Sequence, residues 1–433
     1  MKKQAPKLIA VTLLITLAAL LAVAAGIPEA EPGSSLAGEQ TNTDTDPGDM
    51  PDGGGEDDIP SQDVPSDPVP FVPIPPEASA LYRYTQSLWA EGGVALNGVH
   101  PSSDGTFVVI THSGGEGALN VNGVKTVSVA RLESDGTVSA LKHLNGGDMY
   151  IDSQLTSDGL TVALADEDRS YVHTLSSDLN ADTVLELSRF TSGEIFALGN
   201  GYLLFAAGAG NTVYSVSGGA VGATGAVLSG TISAVYDFGV YYMLVIGGIS
   251  GYSVVRIDPS LKTLSTVTVP GKELMSISPY TENGEQRFIA VEKNSTGVEI
   301  AKYDASYAKE LERVGVGLAD SAEAYMNGGS ILLLMHATET RLYIVDGSLN
   351  FIASSSETMR GVTEIYDCVE YSGGYAVLYA AGDDLILVEI SDNGGSVQRN
   401  ISASVGNASL VRSPGGEYTV FYTADDSLKV IGI

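Results

Sequence analysis

The run TFVVITH occupies residues 106–112 and follows a glycine at position 105. An apolar run of the same kind follows seven further glycines, and the intervals between successive glycines are 54, 42, 38, 45, 45, 45 and 42 residues. A repeat of ~40–50 residues that contains several strands is typical of a β-propeller. The glycines that lead the runs are Gly105, Gly159, Gly201, Gly239, Gly284, Gly329, Gly374 and Gly416.

The apolar runs are nearly continuous, which suits strands that are covered on both faces, as in sheets stacked around a propeller axis. The glycine before each run fits a tight hairpin turn with positive φ. We therefore assign each run to the second strand of a four-stranded blade. The runs are TFVVITH (106–112), LTVALAD (160–166), YLLFAAG (202–208), YYMLVIGG (241–248), RFIAVEK (287–293), SILLLMHA (330–337), YAVLYAAG (375–382) and YTVFYTAD (418–425).

The repeats predict an all-β propeller with eight blades of four antiparallel strands. A seven-bladed ring is the alternative, because the unit from Tyr202 to Val269 is compressed and rich in glycine. The eighth unit stops at Ile433 after its third strand, SLKVIGI (427–433). We predict that Leu81–Trp89 supplies the missing outer strand and closes the ring.

The N-terminal segment, residues 1–26, carries Lys2, Lys3 and Lys7 and an apolar stretch from Leu8 to Gly26. This pattern predicts a signal peptide or an N-terminal membrane anchor. The small residues of Ala22-Val23-Ala24 favour cleavage, whereas the spacer that follows would be most useful to a tethered protein. In both cases residues 79–433 are predicted to be extracytoplasmic, either secreted or held at the outer face of the cytoplasmic membrane.

Residues 27–78 are rich in Pro, Gly, Asp and Ser, and they contain 13 acidic residues with no Lys or Arg. Such a segment cannot bury enough apolar surface to offset its ordering entropy, so we predict a disordered acidic spacer. The whole chain has a net charge of −31. A surface of this charge repels phosphate backbones and argues against nucleic-acid binding. Cys368 is the only cysteine, so no intrachain disulfide can form.

Short motifs in three units resemble those of bacterial WD-repeat-like and Tol-type β-propellers. The motifs are Ser413-Pro414-Gly415-Gly416, Pro101-Ser102-Ser103-Asp104-Gly105 and Ile257-Asp258-Pro259-Ser260. The resemblance implies a propeller fold over 79–433. It carries over no functional residue, since the Trp-Asp dipeptide is absent and Trp89 is the only tryptophan.

The loops between second and third strands are expected on one face of the ring, together with the connections between blades. In units two, seven and eight these loops are acidic, and the three units lie on one arc of a closed ring. Carboxylate oxygens are the ligands that calcium prefers, so the arc predicts a calcium-tuned surface, although acidic turn residues that merely face water are the alternative. The residues are Asp166, Asp168, Asp383, Asp384, Asp425 and Asp426.

The sequence contains no Walker loop and no Gly-x-Ser-x-Gly elbow. His112 and His336 end second strands, and ordinary half-buried histidines are expected there rather than a metal pair across the ring. We therefore favour a monomeric cell-surface module that binds an extracellular protein or a polysaccharide. An extracellular hydrolase or lyase working in the central channel, and a purely structural envelope protein, remain open.

Overall fold

The computed structural model describes residues 72–73, 84–88 and 93–433, with gaps at 104, 113–124, 208–211, 227–229, 249, 318, 328–329, 338–339, 356–360, 392–395, 404, 414–415 and 425–426. The predicted signal or anchor, most of the predicted spacer and Trp89 lie outside these ranges. Two strands precede the first blade, namely β1 (Val72–Pro73) and β2 (Tyr84–Leu88).

Blades one to four follow in chain order, each an antiparallel meander that begins with its inner strand. Their strands are β3 (Ala95–Ser102), β4 (Gly105–His112), β5 (Thr126–Leu132) and β6 (Val138–His143); β7 (Met149–Thr156), β8 (Gly159–Ala165), β9 (Arg169–Leu175) and β10 (Asp182–Ser188); β11 (Ser192–Ala197), β12 (Tyr202–Ala207), β13 (Thr212–Ser217) and β14 (Ala220–Ala226); and β15 (Thr231–Asp237), β16 (Tyr242–Gly248), β17 (Gly251–Ile257) and β18 (Thr263–Pro270).

Blades five to eight repeat the pattern, and the eighth contributes three strands of its own. Their strands are β19 (Glu273–Glu282), β20 (Glu285–Asn294), β21 (Gly297–Tyr303) and β22 (Lys309–Gly317); β23 (Ser321–Asn327), β24 (Ser330–His336), β25 (Thr340–Asp346) and β26 (Phe351–Ser355); β27 (Val362–Tyr371), β28 (Gly374–Ala381), β29 (Asp384–Ser391) and β30 (Ser396–Ala403); and β31 (Ala408–Arg412), β32 (Tyr418–Ala424) and β33 (Ser427–Gly432).

The eight-bladed ring is thus confirmed, and the seven-bladed alternative is wrong. The compressed, glycine-rich unit contributes to two complete four-stranded sheets, β11–β14 and β15–β18. These sheets are short rather than incomplete. At the turn before β8, Gly159 has φ 131, and a Cβ there would collide with the carbonyl oxygen of Leu175. Only glycine fits such a turn without displacing the backbone.

Apolar packing between blades forms the core. Among the described residues, every pair of neighbouring blades shares one apolar cluster, and each second strand lies inside the stack. Between blades six and seven, for example, Leu332 and Leu334 of β24 pack with Tyr375 and Val377 of β28. The second strands are apolar along their whole length because both of their faces are buried against other blades.

Ring closure joins the two ends of the described chain. Strand β2 pairs antiparallel with β33, from Tyr84 opposite Gly432 to Leu88 opposite Leu428, and becomes the outer strand of blade eight. This confirms the predicted closure by the segment after the spacer. Behind it, Phe421 and Val430 of blade eight pack with Ile110 of blade one, so the last and first blades also share a core. Within the segment predicted as spacer, Val72 and Pro73 pair in parallel with the outer strand β30 of blade seven.

A five-residue turn recurs between third and fourth strands. Asp258 Oδ1 accepts hydrogen bonds from the backbone N–H groups of Ser260, at 2.9 Å, and Lys262, at 3.0 Å. The residue between them, Leu261, adopts left-handed φ of 67°. That conformation costs about 1–2 kcal/mol for a residue with a side chain. Equivalent turns place Tyr307 and Leu349 at φ 65° and 63° with their side chains buried, and burial of such a side chain contributes about 1.5–3 kcal/mol in return.

Deleting residues 81–89 should sharply lower the thermal midpoint of unfolding, because it leaves the edge of β33 unpaired and opens the ring. Thermal melts of the full chain and the deletion variant would measure this. The matched control is a deletion of residues 41–49, an equally long piece of the predicted spacer. An unchanged midpoint in the 81–89 deletion would show that β2 is dispensable.

Acid should weaken the fold through the turn carboxylates. The Asp178 carboxylate accepts hydrogen bonds from the Ser176 hydroxyl and from the side chain and backbone N–H of Asn180, which lower its pKa to about 2. A group whose pKa is lower in the folded state adds stability above its unfolded pKa of about 3.9 and loses it as pH falls toward the folded value. We expect urea midpoints measured from pH 5 to pH 2 to fall less steeply for Asp178→Asn than for the wild type. Parallel curves would contradict this role.

Candidate functional site

The acidic loops lie on one face of the ring, defined here as the 2–3 face because it carries the turns between second and third strands. In an antiparallel meander the connections between blades reach the same face. Asp166 and Asp168 lie between β8 and β9, Asp383 lies between β28 and β29, and Asp384 begins β29. The fifth and sixth predicted residues, Asp425 and Asp426, lie outside the described residues.

Asp166 is engaged in its own turn. Its Oδ1 accepts hydrogen bonds from the backbone N–H groups of Asp168, at 2.7 Å, and Arg169, at 2.6 Å, and these bonds lower its pKa. The Tyr171 hydroxyl donates to Oδ2 at 3.1 Å. Within the ranges that the structure describes, no group of three or more His, Cys, Asp or Glu side chains could hold a metal ion. The six-residue calcium arc therefore stays a prediction.

A cleft of about 380 Å³ opens on the 2–3 face at blade seven. The start of β27 forms one wall and the turn before β29 forms another, and Val405 of the connection to blade eight completes it. Asp383, one of the residues predicted from the sequence, lies on its rim. The lining residues are Thr363, Glu364, Tyr366, Ala380, Gly382, Asp383 and Val405.

Two β-bulges in β27 shape the cleft. The register against β28 shifts between Val362 and Glu364 and again between Ile365 and Asp367, so Thr363 and Tyr366 are the extra residues. Both extra residues line the cleft. A bulge redirects a side chain and bends its strand, and bulges are frequent next to functional sites. Among the inner strands with described pairing, β27 alone has two such shifts.

The Glu364 carboxylate acts on the Tyr366 phenol in the cleft. Burial, together with the charge of that carboxylate, raises the pKa of Tyr366 to about 12. The phenol therefore stays neutral at physiological pH. Glu364 and Asp383 are exposed, whereas Tyr366 is half-buried. The cleft thus combines two carboxylates with one aromatic face.

Sequence reasoning found Asp383 but missed Glu364, Tyr366 and Thr363. A signal was present, because the residues of β27 that pack toward blade six are Val362, Ile365 and Cys368. Their spacing is three residues instead of the two of a regular strand, and each such step contains one extra residue.

The histidines that end second strands have local partners. His112, fully buried, is 2.8 Å through Nε2 from the Ser128 hydroxyl oxygen, and that oxygen is 2.7 Å from His143 Nδ1. His336 Nδ1 is 2.8 Å from the Thr340 hydroxyl oxygen. His112 belongs to blade one and His336 to blade six. Both make contacts within their own blade, and His112 is fully buried rather than half-buried as predicted.

An aspartate fixes the bulged strand to the next blade. Asp367 Oδ2 accepts hydrogen bonds from the Leu410 backbone N–H, at 2.9 Å, and the Ser409 hydroxyl, at 3.0 Å, both in β31. Asp152 makes the equivalent bond from blade two, since its Oδ2 accepts from the Ile195 N–H of blade three at 2.8 Å. These contacts hold neighbouring inner strands in register.

Replacing Asp367 with Ala should destabilise the protein by about 1–3 kcal/mol, because it leaves a backbone N–H without its partner. Hydrogen exchange should also become faster in β27 beside the cleft. Asp152→Ala is the matched control: it should cost a similar amount while exchange in β27 stays at the wild-type rate. Equal exchange in β27 for both variants would show that Asp367 does not hold the cleft.

Three solved structures resemble this chain in fold, and one of them is described as a propeller. BamB from Moraxella catarrhalis is 12% identical with a TM-score of 0.50, covering 81% of this chain and 98% of its own. The computationally designed Ika8 protein is 13% identical with a TM-score of 0.51, covering 80% and 98%. The Dos1 propeller is 10% identical with a TM-score of 0.54, covering 82% and 96%. At these identities the likeness shows the fold alone.

No protein-family model and no curated protein matches the sequence. The specific resemblance to WD-repeat-like and Tol-type propellers therefore stays a prediction, while the propeller fold is shown. In the described part of the chain, no helix has the length and apolar character needed to cross a membrane.

Proposed function

We propose that this chain is an exported, monomeric cell-surface module that holds a protein or a polysaccharide on the 2–3 face of its propeller. The cleft of blade seven is the observation that carries the proposal. Its two bulges present Thr363 and Tyr366 beside two exposed carboxylates in a volume of about 380 Å³, within the size range of ligand sites. The signal or anchor at residues 1–26 supports display outside the cytoplasm.

Calcium is proposed as a modulator of the same face. The carboxylates of Asp383 and Asp384 adjoin the cleft in sequence, and those of Asp425 and Asp426 follow in the next unit. A cation shared between such loops would order them around the partner. This part of the proposal rests on the chemistry of the ligands alone.

The enzyme alternative requires a carboxyl group that stays protonated, and hence a raised pKa, beside an ionised one. Hydrogen bonds from neighbouring groups hold the pKa values of Asp166, Asp258 and Glu312 below their usual range. Lowered pKa values suit fixed charges that organise turns and surfaces, and such charges fit a binding role.

The test is retention of a partner from cell-envelope extract by the full chain, immobilised in detergent, first with calcium and then with EDTA. We expect a specific protein or polysaccharide to be retained by the wild type and lost with the double variant Glu364→Gln/Asp383→Asn. The matched control is Glu133→Gln/Glu285→Gln, which removes two charges from the opposite face.

Equal retention by both double variants would move the site away from the cleft. No retained partner under either condition would favour a structural envelope role.

Replacing Asp383, Asp384, Asp425 and Asp426 with Asn should remove any thermal stabilisation by calcium, and a variant stabilised like the wild type would contradict the calcium arc.

A further inference from the structure

Two lysines of blade five each lie beside a carboxylate and a tyrosine ring. Such a pair of a carboxylate and an aromatic ring is called a cation seat below. In blade five, Lys302 Nζ lies 2.9 Å from Glu282 Oε1 and 5.7 Å from the centroid of the Tyr280 ring. Tyr280 and Glu282 are two residues apart on the inner strand β19. The ammonium group thus gains a charge partner and an aromatic face together.

A second seat lies in the same blade. Lys309 Nζ lies 2.7 Å from Glu312 Oε2 and 5.9 Å from the centroid of the Tyr303 ring. The Tyr303 ring is buried, whereas Lys309 and Glu312 are exposed, so this cation–π contact lies at the surface of the blade. In both seats the cation is a lysine of this chain.

Among the described residues, the cleft of blade seven has a similar composition without a cation. Glu364 and Tyr366 are again two residues apart on an inner strand, and Asp383 adds a second carboxylate. The described residues that line the cleft include no Lys or Arg. The two carboxylates are exposed, so the seat is open to an external group.

We infer that the cleft binds the guanidinium group of an arginine on a basic segment of a partner protein. This inference rests on the proposed binding function and names the chemistry of its ligand. A guanidinium can pair with a carboxylate through two N–H groups and stack on an aromatic ring at the same time, which an ammonium cannot do. A neutral sugar would shield both carboxylates from water without neutralising either. The net charge of −31 would also draw basic segments toward the protein.

The test measures binding of the peptide tetra-arginine to the full chain by calorimetry. Its control peptide is tetra-citrulline, which keeps the shape of each side chain and removes the charge. We expect tetra-arginine to bind and tetra-citrulline not to bind. Affinity for tetra-arginine should fall by about tenfold or more in Glu364→Gln/Asp383→Asn, since this variant removes both carboxylates that would pair with the guanidinium.

Two further variants separate the cleft from general attraction. Tyr366→Leu should weaken binding and Tyr366→Phe should largely preserve it, because only the aromatic face contacts the guanidinium. The matched control Asp148→Asn/Glu167→Gln removes two exposed charges from the same face at blade two, and it should bind tetra-arginine like the wild type. An equal loss in this control, or equal binding of tetra-citrulline, would overturn the inference.

Competition distinguishes this inference from the function on which it rests. Release of the envelope partner by tetra-arginine, and not by tetra-citrulline, supports both. A partner that is lost with Glu364→Gln/Asp383→Asn but is not released by tetra-arginine leaves the binding function standing and overturns the arginine seat. A neutral oligosaccharide that releases the partner where tetra-arginine does not would also overturn the arginine seat while leaving the binding function in place.

Discussion

Backbone pairing between β2 and β33 is the constraint on which the ring depends. Each of the other seven blades is completed by residues contiguous in sequence, whereas blade eight requires a strand from the opposite end of the described chain. With no disulfide available, closure rests on this ladder and on the apolar cluster shared by blades eight and one. Among the described residues, each blade then shares an apolar cluster with the blade on either side.

Because the blades repeat one pattern, a strand that deviates from this pattern, such as β27, marks a specific place on the ring. The inner strands hold one another in register through side chains such as Asp152 and Asp367, which accept backbone N–H groups of the next blade. At β27 the same device coexists with two bulges, so the strand is bent yet fixed. A rigid support whose strand β27 carries two bulges can present Tyr366 and the neighbouring carboxylates at small entropic cost on binding.

The sequence predicted the architecture well because burial imposes a pattern that is visible residue by residue. TFVVITH and its seven counterparts had to be apolar throughout, and the polar turn at Asp258 had to follow a third strand. The cleft was harder to predict, since Glu364 and Tyr366 line it only because the register of β27 shifts twice against β28. The left-handed Leu349 and Tyr307 were missed for a related reason: propensity disfavours them there, and only tertiary burial stabilises them.

The position of β2 has a consequence for biosynthesis. This strand emerges from the ribosome before every blade, whereas β33 is made after all the other described strands, so the two partners are separated by nearly the whole of the described chain. Until β33 appears, the early blades can stack on one another but the ring stays an open arc with two exposed ends. Contacts so distant in sequence form slowly and leave intermediates prone to aggregate. A chain truncated before β33 should be recognisable to proteases as unfinished, which gives the cell a simple check on completeness.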